Sequence, residues 1–313
     1  MRVAIVADME GVSGITDPHE IFAFARPYWR TGRRSMTSDV SSAARGLLRA
    51  GATEVIVIDA HASGNEGNNM LSEALPSGAR LEQWRGADIA ASEIDALLQV
   101  GFHARAGVDA FISHTHVPGL RLGVDNELVG ESHTTIWGVD RPLLGIVGND
   151  AHARTVGRGF GEIPYLVVQR TKSLAQAQPA FRDPGEAEEA IEDFAAEALR
   201  AGGAHIPAPT DFLLEASFPP GEQQAADATA AGWQQRSETE FAVELSEWRQ
   251  ARELVNVAAM CAFAAWLPYF ASFDVSSESA LERVHDEPLL QQGRARIDDW
   301  LRQSHPEWLR PDD

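Results

Sequence analysis

Acidic and imidazole side chains follow several apolar segments of this sequence, and the first of them are Asp8 and Glu10. Both come directly after the apolar run Val3–Val6, and Gly11 follows them. A short apolar run bounded by glycine predicts a buried strand of a parallel sheet, and such sheets bind ligands beyond the carboxyl ends of their strands. In Asp-x-Glu the two carboxylates share one face of an extended backbone. The pair therefore favours a divalent cation between them, although a solvated loop with two surface acids has the same pattern.

Histidine recurs at the same kind of position. Three more predicted strands end close to a histidine: Glu54–Asp59 before His61, Leu97–Phe102 before His103, and Ala110–Ser113 before His114. Glu131 follows a hairpin predicted over Leu122–Val129. Neutral imidazole and carboxylate are natural ligands for zinc and similar divalent ions.

Five of these residues form the candidate metal-binding set, with His114 nearby: Asp8, Glu10, His61, His103 and Glu131. One tetrahedral zinc needs fewer ligands, whereas two cations that share a bridging carboxylate would use all five. A two-metal site polarises a substrate oxygen and lowers the pKa of bound water towards about 7, which is the chemistry of amide and ester hydrolysis. His116 and His133 flank the set as candidate supporting groups. The remaining histidines are interpreted as structural or surface residues: His19, His152, His205, His285 and His305.

The elements that must position these residues predict an α/β fold. Apolar residues at helical spacing predict a helix over Thr37–Arg49, between the strands that precede Asp8 and His61, and this β-α-β unit implies a parallel pair with a right-handed crossover. The later predicted elements are a helix over Thr134–Val139, strands over Leu143–Val147 and Tyr165–Gln169, a helix over Pro184–Leu199, strands over Phe212–Phe218 and Glu240–Leu245, and a helix over Trp248–Ala265.

Three segments are expected. Residues 1–170 would form an α/β metal-binding catalytic domain with a mostly parallel sheet and flanking helices. Residues 171–274 would form a smaller α+β domain, and residues 275–313 a helical tail anchored by Trp300 and Trp308.

Composition narrows the function classes. The 313-residue chain carries 46 acidic and 26 basic residues, a formal net charge of −20, which argues against nucleic-acid and anionic membrane partners. The single cysteine, Cys261, rules out an internal disulfide and fits a reducing compartment. The sequence shows neither a signal-peptide pattern nor an apolar stretch long enough for a membrane span, so a cytoplasmic protein is expected.

Six stretches within residues 1–150 match a known family in order and spacing: ADMEGVSGI, VIVIDAHAS, VGFHARAG, FISHT, NELVGE and IVGND. On these motifs the sequence resembles the M55 metallopeptidase family. The resemblance implies an α/β domain with a smaller second domain, two zinc ions per subunit, and ring-shaped homo-oligomers, with a decamer as the candidate size. It also implies roles for six residues: Asp8 bridges two metals, Glu10 and His61 complete one site, His103 and Glu131 complete the other, and His114 is catalytic.

The sequence departs from the family pattern at two notable positions. Asn149 stands where aspartate is more common, and Gln169 stands where the resemblance leads us to expect a lysine. The resemblance as a whole leads us to expect an aminopeptidase that cleaves amide bonds of short peptides or aminoacyl amides, with D-amino acids as candidate residues. A metal-dependent phosphoester hydrolase and a non-catalytic metal-binding assembly protein remain the alternatives.

Overall fold

The computed structural model describes most of the first 263 residues. The described ranges are 1–21, 28–61, 69–83, 93–117, 120–157, 160–161, 163–173, 176–218 and 222–263. The tail predicted over residues 275–313 lies outside these ranges. No described helix combines the length and the apolarity needed to cross a bilayer.

A seven-stranded sheet forms the centre of the molecule. Its strands, in chain order, are β1 (Arg2–Ala7), β2 (Glu54–Asp59), β3 (Ala79–Gln83), β4 (Ala96–Phe102), β7 (Leu143–Asn149), β8 (Tyr165–Ser173) and β9 (Gln176–Pro179). Their spatial order is β3-β2-β1-β4-β7-β8-β9, and every neighbouring pair is parallel except β8 and β9. The predicted mostly parallel α/β fold is confirmed, with β1 near the middle of the sheet.

Helices cover both faces of this sheet because its central strands are apolar on both sides. In β1, Val3 and Ile5 pack into one core with α1 (Tyr28–Arg49) and α4 (Pro184–Ala201), and Val6 packs into the opposite core. The opposite core includes Ile136 of α2 (Glu131–Val139). The short helix α3 (Asp150–Thr155) directly follows β7. Burial on both faces explains why the apolar runs in the sequence were sufficient to predict these strands.

A second, antiparallel sheet lies beside the first. It is built from β5 (Arg121–Val124), β6 (Glu127–Val129), β10 (Thr210–Ser217), β11 (Gln234–Gln235) and β12 (Glu240–Glu247), in the order β11-β12-β10-β5-β6. Helices α5 (Glu222–Ala230) and α6 (Trp248–Phe263) belong to this layer, and α6 packs on its core. The predicted hairpin over Leu122–Val129 is present as β5–β6, but its sheet partner is β10, almost one hundred residues later.

The prediction of a strand over Ala110–Ser113 was wrong. These residues form a turn in which the Ser113 amide donates to the Ala110 carbonyl oxygen at 3.3 Å, and Ile112 has a φ of 45°. A left-handed residue cannot continue an extended strand. Their apolar side chains are nevertheless buried in the core, which accounts for the strand-like composition.

The elements of the two layers alternate along the chain and do not follow one after the other. Helix α4 follows residue 170 yet packs on α1 of the first layer, where Arg45 forms a 3.0 Å ion pair with Glu192. The hairpin β5–β6 precedes residue 170 yet pairs with the second sheet. Each layer thus contains elements from both sides of residue 170, and the predicted domain boundary at that residue stays a prediction.

Candidate metal centre

The first part of the site is the turn that follows β1. Asp8 continues the strand direction, and its amide donates to the Val100 carbonyl oxygen at 2.8 Å. The Gly11 amide then donates to the Gly101 carbonyl oxygen at 2.7 Å, so the chain turns tightly against the end of β4. A Cβ at Gly11 would overlap the carbonyl oxygen of Phe102, which explains glycine at this position.

The ends of β2 and β4 supply two histidines. His61 lies just past β2, where its carbonyl oxygen accepts a 2.6 Å hydrogen bond from Asn69 Nδ2. The same Asn69 also donates to the buried Asp59 carboxylate, so the strand end is anchored from two directions. His103 directly follows β4, the strand beside β1.

The remaining site residues come from the opposite rim. Glu131 is the first residue of α2, and one of its carboxylate oxygens accepts a 2.5 Å hydrogen bond from the His116 amide. His114 lies in the loop between β4 and β5 and stacks on His103, with ring centroids 4.3 Å apart. The sequence predicted helix α2 from Thr134, whereas it begins three residues earlier, at the candidate ligand itself.

All six predicted site residues converge. The His61 ring nitrogen Nδ1 is 3.4 Å from Asp8 Oδ1 and 3.0 Å from Glu10 Oε2. His103 Nε2 is 3.4 Å from Asp8 Oδ2 and 3.7 Å from Glu131 Oε1. On the rim, His114 Nε2 lies 3.8 Å from Glu10 Oε1 and 3.7 Å from Glu131 Oε1.

Ligand atoms in this cluster fall into overlapping groups that could each hold a cation. Asp8, Glu10 and His61 form one group, and Asp8, His103 and Glu131 form another, with the ligand atoms of each group within 4.8 Å of one another. Asp8 belongs to both. A third group joins Glu10, His103 and His114, so the geometry alone leaves a ligand role for His114 open.

Hydrogen bonds on the far side of each ring fix the tautomers. His61 Nε2 is 2.8 Å from the Ile21 carbonyl oxygen, and His103 Nδ1 is 2.9 Å from the Ala104 carbonyl oxygen. A carbonyl oxygen can only accept, so these nitrogens carry hydrogen. In the neutral rings, the other nitrogen of each therefore directs a lone pair at the carboxylates. Lone pairs facing carboxylate oxygens are the arrangement that a cation between them satisfies.

Buried polar atoms without hydrogen-bond partners at the centre of the cluster also fit a bound cation. Within the described residues, Asp8 Oδ2, Glu10 Oε2 and His103 Nε2 are buried without a hydrogen bond of acceptable geometry. Buried polar atoms of this kind are normally paired, and an ion is one accepted explanation for those that are not. The donor set of carboxylates and imidazoles suits zinc. The residues present therefore fit a divalent metal.

The charges of the cluster also shift its protonation. Burial lowers the pKa of His103, but the nearby carboxylates of Glu131 and Asp8 outweigh it and raise that pKa to about 10. Burial likewise lowers the pKa of His61, yet Glu10 and Asp8 raise it well above its usual value. Without a metal, the site therefore holds protons on the two rings that face the carboxylates. A cation would replace those protons.

The pKa values of two of the three carboxylates in the site, Asp8 and Glu131, shift in opposite directions. Burial raises the pKa of Asp8, and the neighbouring charge of Glu10 raises it further. Burial also raises the pKa of Glu131, but the nearby imidazole of His103, followed by those of His114 and His116, outweighs it and lowers that pKa to about 2. Asp8 belongs to two of the candidate ligand groups. Because its ionised form is disfavoured, it is the carboxylate that a nearby cation would stabilise most.

A buried network supports Glu131 from behind. Tyr165 Oη donates to the Asn149 carbonyl oxygen at 2.9 Å and accepts from His152 Nδ1 at 3.0 Å, and His152 Nε2 accepts from Ser132 Oγ at 2.8 Å. Burial, and then the charge of His103, lower the pKa of His152 to about 3, so the ring is neutral as this chain of bonds requires. The interpretation of His152 as a structural residue stays a prediction, and the structure places it in α3, two residues after the IVGND motif.

The two candidate supporting histidines occupy different surroundings. His116 has a left-handed φ of 58°, and its Nε2 is 3.0 Å from Thr134 Oγ1. His133 packs edge-on against Trp137 and Phe160, away from the carboxylates. His116 therefore contacts the site through its backbone, and His133 belongs to the core beneath α2.

Comparisons with known proteins identify the family of this chain. The family model described as D-aminopeptidase, peptidase M55, matches residues 1–257. A D-aminopeptidase of Bacillus subtilis (strain 168) is 28% identical over 185 residues, an alignment that covers 55% of this chain and 65% of the relative. The chain thus aligns with slightly less than two thirds of that relative's length.

A solved structure has the same fold. It is described as the Zn-dependent D-aminopeptidase DppA from Bacillus subtilis, a self-compartmentalizing protease, and it superposes with a TM-score of 0.74. The superposition covers 84% of this chain and 98% of that structure at 24% sequence identity. Because the family model spans most of the sequence, including every residue of the cluster, this chain belongs to the peptidase M55 family, the family described as D-aminopeptidase.

Proposed function

We propose that this protein is a zinc-dependent aminopeptidase that binds two zinc ions per subunit and hydrolyses the first amide bond of short peptides or aminoacyl amides, with D-amino acids as the favoured residues. The observation that carries the proposal is the convergence of His61 and His103 on Asp8, with backbone carbonyls fixing the far nitrogen of each ring. The names of the family and of its relatives support zinc and the D-aminopeptidase activity.

In this proposal, Glu10 and His61 would hold one ion, His103 and Glu131 would hold the other, and Asp8 would be a ligand shared by both groups. When bound, a pair of zinc ions polarises a carbonyl oxygen and makes a water molecule acidic enough to attack it near neutral pH. The protein supplies fixed ligands and a largely buried setting: the side chains of Asp8 and His103 are 4% and 2% exposed. Water exclusion strengthens the electrostatic effect of every charge at such a site.

His114 is the proposed general acid and base. Its Nδ1 donates to the Ile112 carbonyl oxygen at 3.0 Å, so Nε2 is unprotonated and faces the cluster. Burial, followed by the charge of His103, lowers the pKa of His114 and keeps the ring neutral. It can therefore accept a proton from the attacking water and return it to the departing amine.

Substrate would reach the cluster from the side of Glu131 and His114. Their side chains are 17% and 10% exposed, more than those of the other proposed ligands. An amide entering from this side meets His114 before it meets Asp8. This order matches a proton-transfer group at the rim and metal ligands below it.

We further propose that the protein acts in the cytoplasm as a ring-shaped homo-oligomer, with a decamer as the candidate size. The self-compartmentalizing relative supports an assembly of several subunits. The single cysteine fits a reducing compartment.

The test combines metal analysis with a substrate panel. Elemental analysis of the purified protein should give close to two zinc ions per subunit, and chelation should abolish hydrolysis of aminoacyl amides until zinc is restored. A matched panel of D- and L-aminoacyl amides reads out chirality, and an aryl phosphate reads out the phosphoesterase alternative. Absence of bound metal after zinc is offered would refute the ligand assignment. Full metal loading with phosphate-ester turnover alone would refute the peptidase.

A further inference from the structure

The segment from Glu10 to Ile15 carries a proposed zinc ligand on an irregular backbone. It leaves β1 in a series of turns, with the Val12 amide donating to the Met9 carbonyl oxygen and the Ile15 amide to the Val12 carbonyl oxygen, both at 3.3 Å. These are long hydrogen bonds, and they cannot by themselves hold one conformation. The position of the Glu10 carboxylate must therefore be fixed by neighbouring elements.

Two neighbours are already evident. On one side, the amide of Gly11 is bonded to the end of β4. On another side, the buried Asp39 of α1 accepts hydrogen bonds from the Ser13 amide at 2.7 Å and the Ser13 hydroxyl at 2.6 Å. Both anchors hold amide or hydroxyl donors of the segment, so the carbonyl oxygens of Glu10 and Ile15 need a donor from elsewhere.

Gln169 of β8 supplies that donor. Its Nε2 is 2.8 Å from the Glu10 carbonyl oxygen, 2.8 Å from that of Ile15 and 3.2 Å from that of Val12. The side chain is fully buried, and β8 lies two strands away from β4 in the sheet. One amide group thus gathers three carbonyl oxygens of a segment about 155 residues earlier in the sequence.

The orientation of this amide is fixed by its surroundings. Turning it by 180° would place Oε1 against three carbonyl oxygens, which accept and cannot donate. In the orientation found, Oε1 has no hydrogen-bond partner within the described residues. The amide thus leaves its own oxygen unsatisfied while it satisfies the segment, and buried groups rarely tolerate this without a structural benefit.

We propose that Gln169 is a positioning residue for zinc binding: its amide clamps the carbonyl oxygens of Glu10, Val12 and Ile15 and thereby aims the Glu10 carboxylate at the metal centre. The inference rests on the zinc site proposed above. It assigns a role to the position at which the sequence departs from the family pattern. The resemblance leads us to expect lysine there, and three converging carbonyl oxygens would equally suit the three N–H donors of an ammonium group.

Two substitutions separate hydrogen bonding from shape. Gln169→Glu keeps the size and replaces the donor with an acceptor, and Gln169→Met keeps the volume with no donor. Val168→Ala is the control. Val168 is a buried core residue on the same strand, and its side chain has no hydrogen-bond donor to offer the segment's carbonyl oxygens. The control loses packing in β8 without changing the clamp.

The measurements are zinc affinity, by competition with a chelator, and amide hydrogen exchange of the metal-free proteins. We expect zinc affinity to fall at least about tenfold in both Gln169 variants, the usual scale for groups that orient metal ligands. Exchange at Gly11 and Val12 should accelerate relative to Val57 of β2. In Val168→Ala, zinc affinity should stay within about twofold of the wild type, and any faster exchange should not be confined to the segment. A cobalt(II)-loaded sample should show altered visible bands in the Gln169 variants alone.

The outcomes distinguish this inference from the proposed function. If the wild type takes up no zinc, the proposed function fails, while the exchange comparison still tests the clamp. If the wild type binds zinc and both Gln169 variants match it in affinity and in exchange at Gly11, the clamp is refuted and the zinc site stands. Equal losses of affinity in the Val168 control would also overturn the proposal, because they would assign the effect to general destabilisation.

Discussion

At the scale of single residues, the hydrogen bond of one ring nitrogen determines whether the other ring nitrogen of each site histidine can act as a ligand or a base. One ring nitrogen of each site histidine donates a hydrogen bond to a backbone carbonyl oxygen: His61 to Ile21, His103 to Ala104, and His114 to Ile112. None of these carbonyls depends on a side-chain identity. The tautomers are thus set by the fold, and a sequence shows the histidines without showing which nitrogen they present.

Substitution of His114 tests the division of labour in the cluster. We expect His114→Ala to lower kcat by roughly two to four decades, the usual contribution of an acid–base group, with zinc content near that of the wild type. Steady-state kinetics and elemental analysis of the same preparation measure both. Loss of one zinc ion per subunit would instead identify His114 as a ligand, which its grouping with Glu10 and His103 allows.

A second residue-scale prediction concerns acid stability. The pKa of His152 is about 3 in the folded protein, against about 6.5 in an unfolded chain. The folded state therefore resists protonation: the stability contribution of the neutral ring is complete above pH 6.5 and is lost as the pH falls towards 3. The shift corresponds to roughly 4–5 kcal/mol across that window.

The measurement is urea unfolding of the chelator-treated protein between pH 7 and pH 4. We expect His152→Phe to reduce stability at pH 7 by about 1–3 kcal/mol, because Ser132 Oγ loses its acceptor, and to flatten the decline in acid. His205→Gln is a suitable control because His205 is half-exposed and bonds to Asp140 at the surface. An undiminished acid slope in His152→Phe would show that other groups dominate it.

At the scale of elements, the turn after β1 depends on a close approach that only glycine permits. A Cβ at Gly11 would meet the carbonyl oxygens of Phe102 and Gly101, which belong to backbone and cannot move aside. We expect Gly11→Ala to destabilise the fold by at least about 3 kcal/mol, the scale of overpacking in a core, and to impair zinc binding. Gly161→Ala is the control, since a Cβ there meets nothing within 4 Å. Thermal unfolding of both variants provides the comparison; equal melting temperatures would contradict the close approach.

The sequence predicted the elements that carry apolar runs or apolar spacing and missed polar elements such as two edge strands and one helix. β1, β2 and β4 appear as buried runs, and their ends located four of the five proposed ligands. The polar edge strands β3 and β9, with sequences ARLEQ and QAQP, have one free side and no such run. Helix α5, with the sequence EQQAADATA, has too few large apolar residues to show helical spacing.

Pairing between distant segments was equally hidden. The hairpin β5–β6 was predicted from local signals, but its membership of the second sheet depends on residues 214–217. The clamp by Gln169 likewise joins residues separated by 154 to 159 positions. Local patterns set element type, whereas such contacts arise only from the assembled fold.

At the scale of the whole molecule, α2 joins the metal centre to the second layer. Glu131 begins the helix, and Trp137 in its last turn stacks edge-on against Trp248 of α6, with ring centroids 4.8 Å apart. Trp248 also stacks on Phe212 of β10. The helix that aims a proposed ligand is therefore packed into both cores.

This arrangement predicts that damage in the second layer reaches the site. We expect Trp248→Ala to lower the free energy of unfolding by about 3–5 kcal/mol, the usual cost of truncating a buried aromatic residue, and to weaken zinc binding at the Glu131 site. Trp248→Phe should lose less on both measures because it retains a ring against Trp137. Denaturant unfolding and zinc titration test this. Normal zinc affinity in a strongly destabilised Trp248→Ala would show that the two layers are energetically separate.

The hairpin β5–β6 has a consequence for the entrance of the site. Between His116 and Glu131 the chain leaves the central sheet, forms two strands of the other sheet, and returns. The two residues at the entrance are thus held differently: the His114 amide donates to the Ala104 carbonyl oxygen at 3.2 Å, close to the end of β4, whereas Glu131 closely follows the hairpin. A small shift of the hairpin against the central sheet would therefore move Glu131 relative to His114 and widen or narrow the mouth. The size of molecule admitted can therefore diverge between related chains through packing changes far from any ligand.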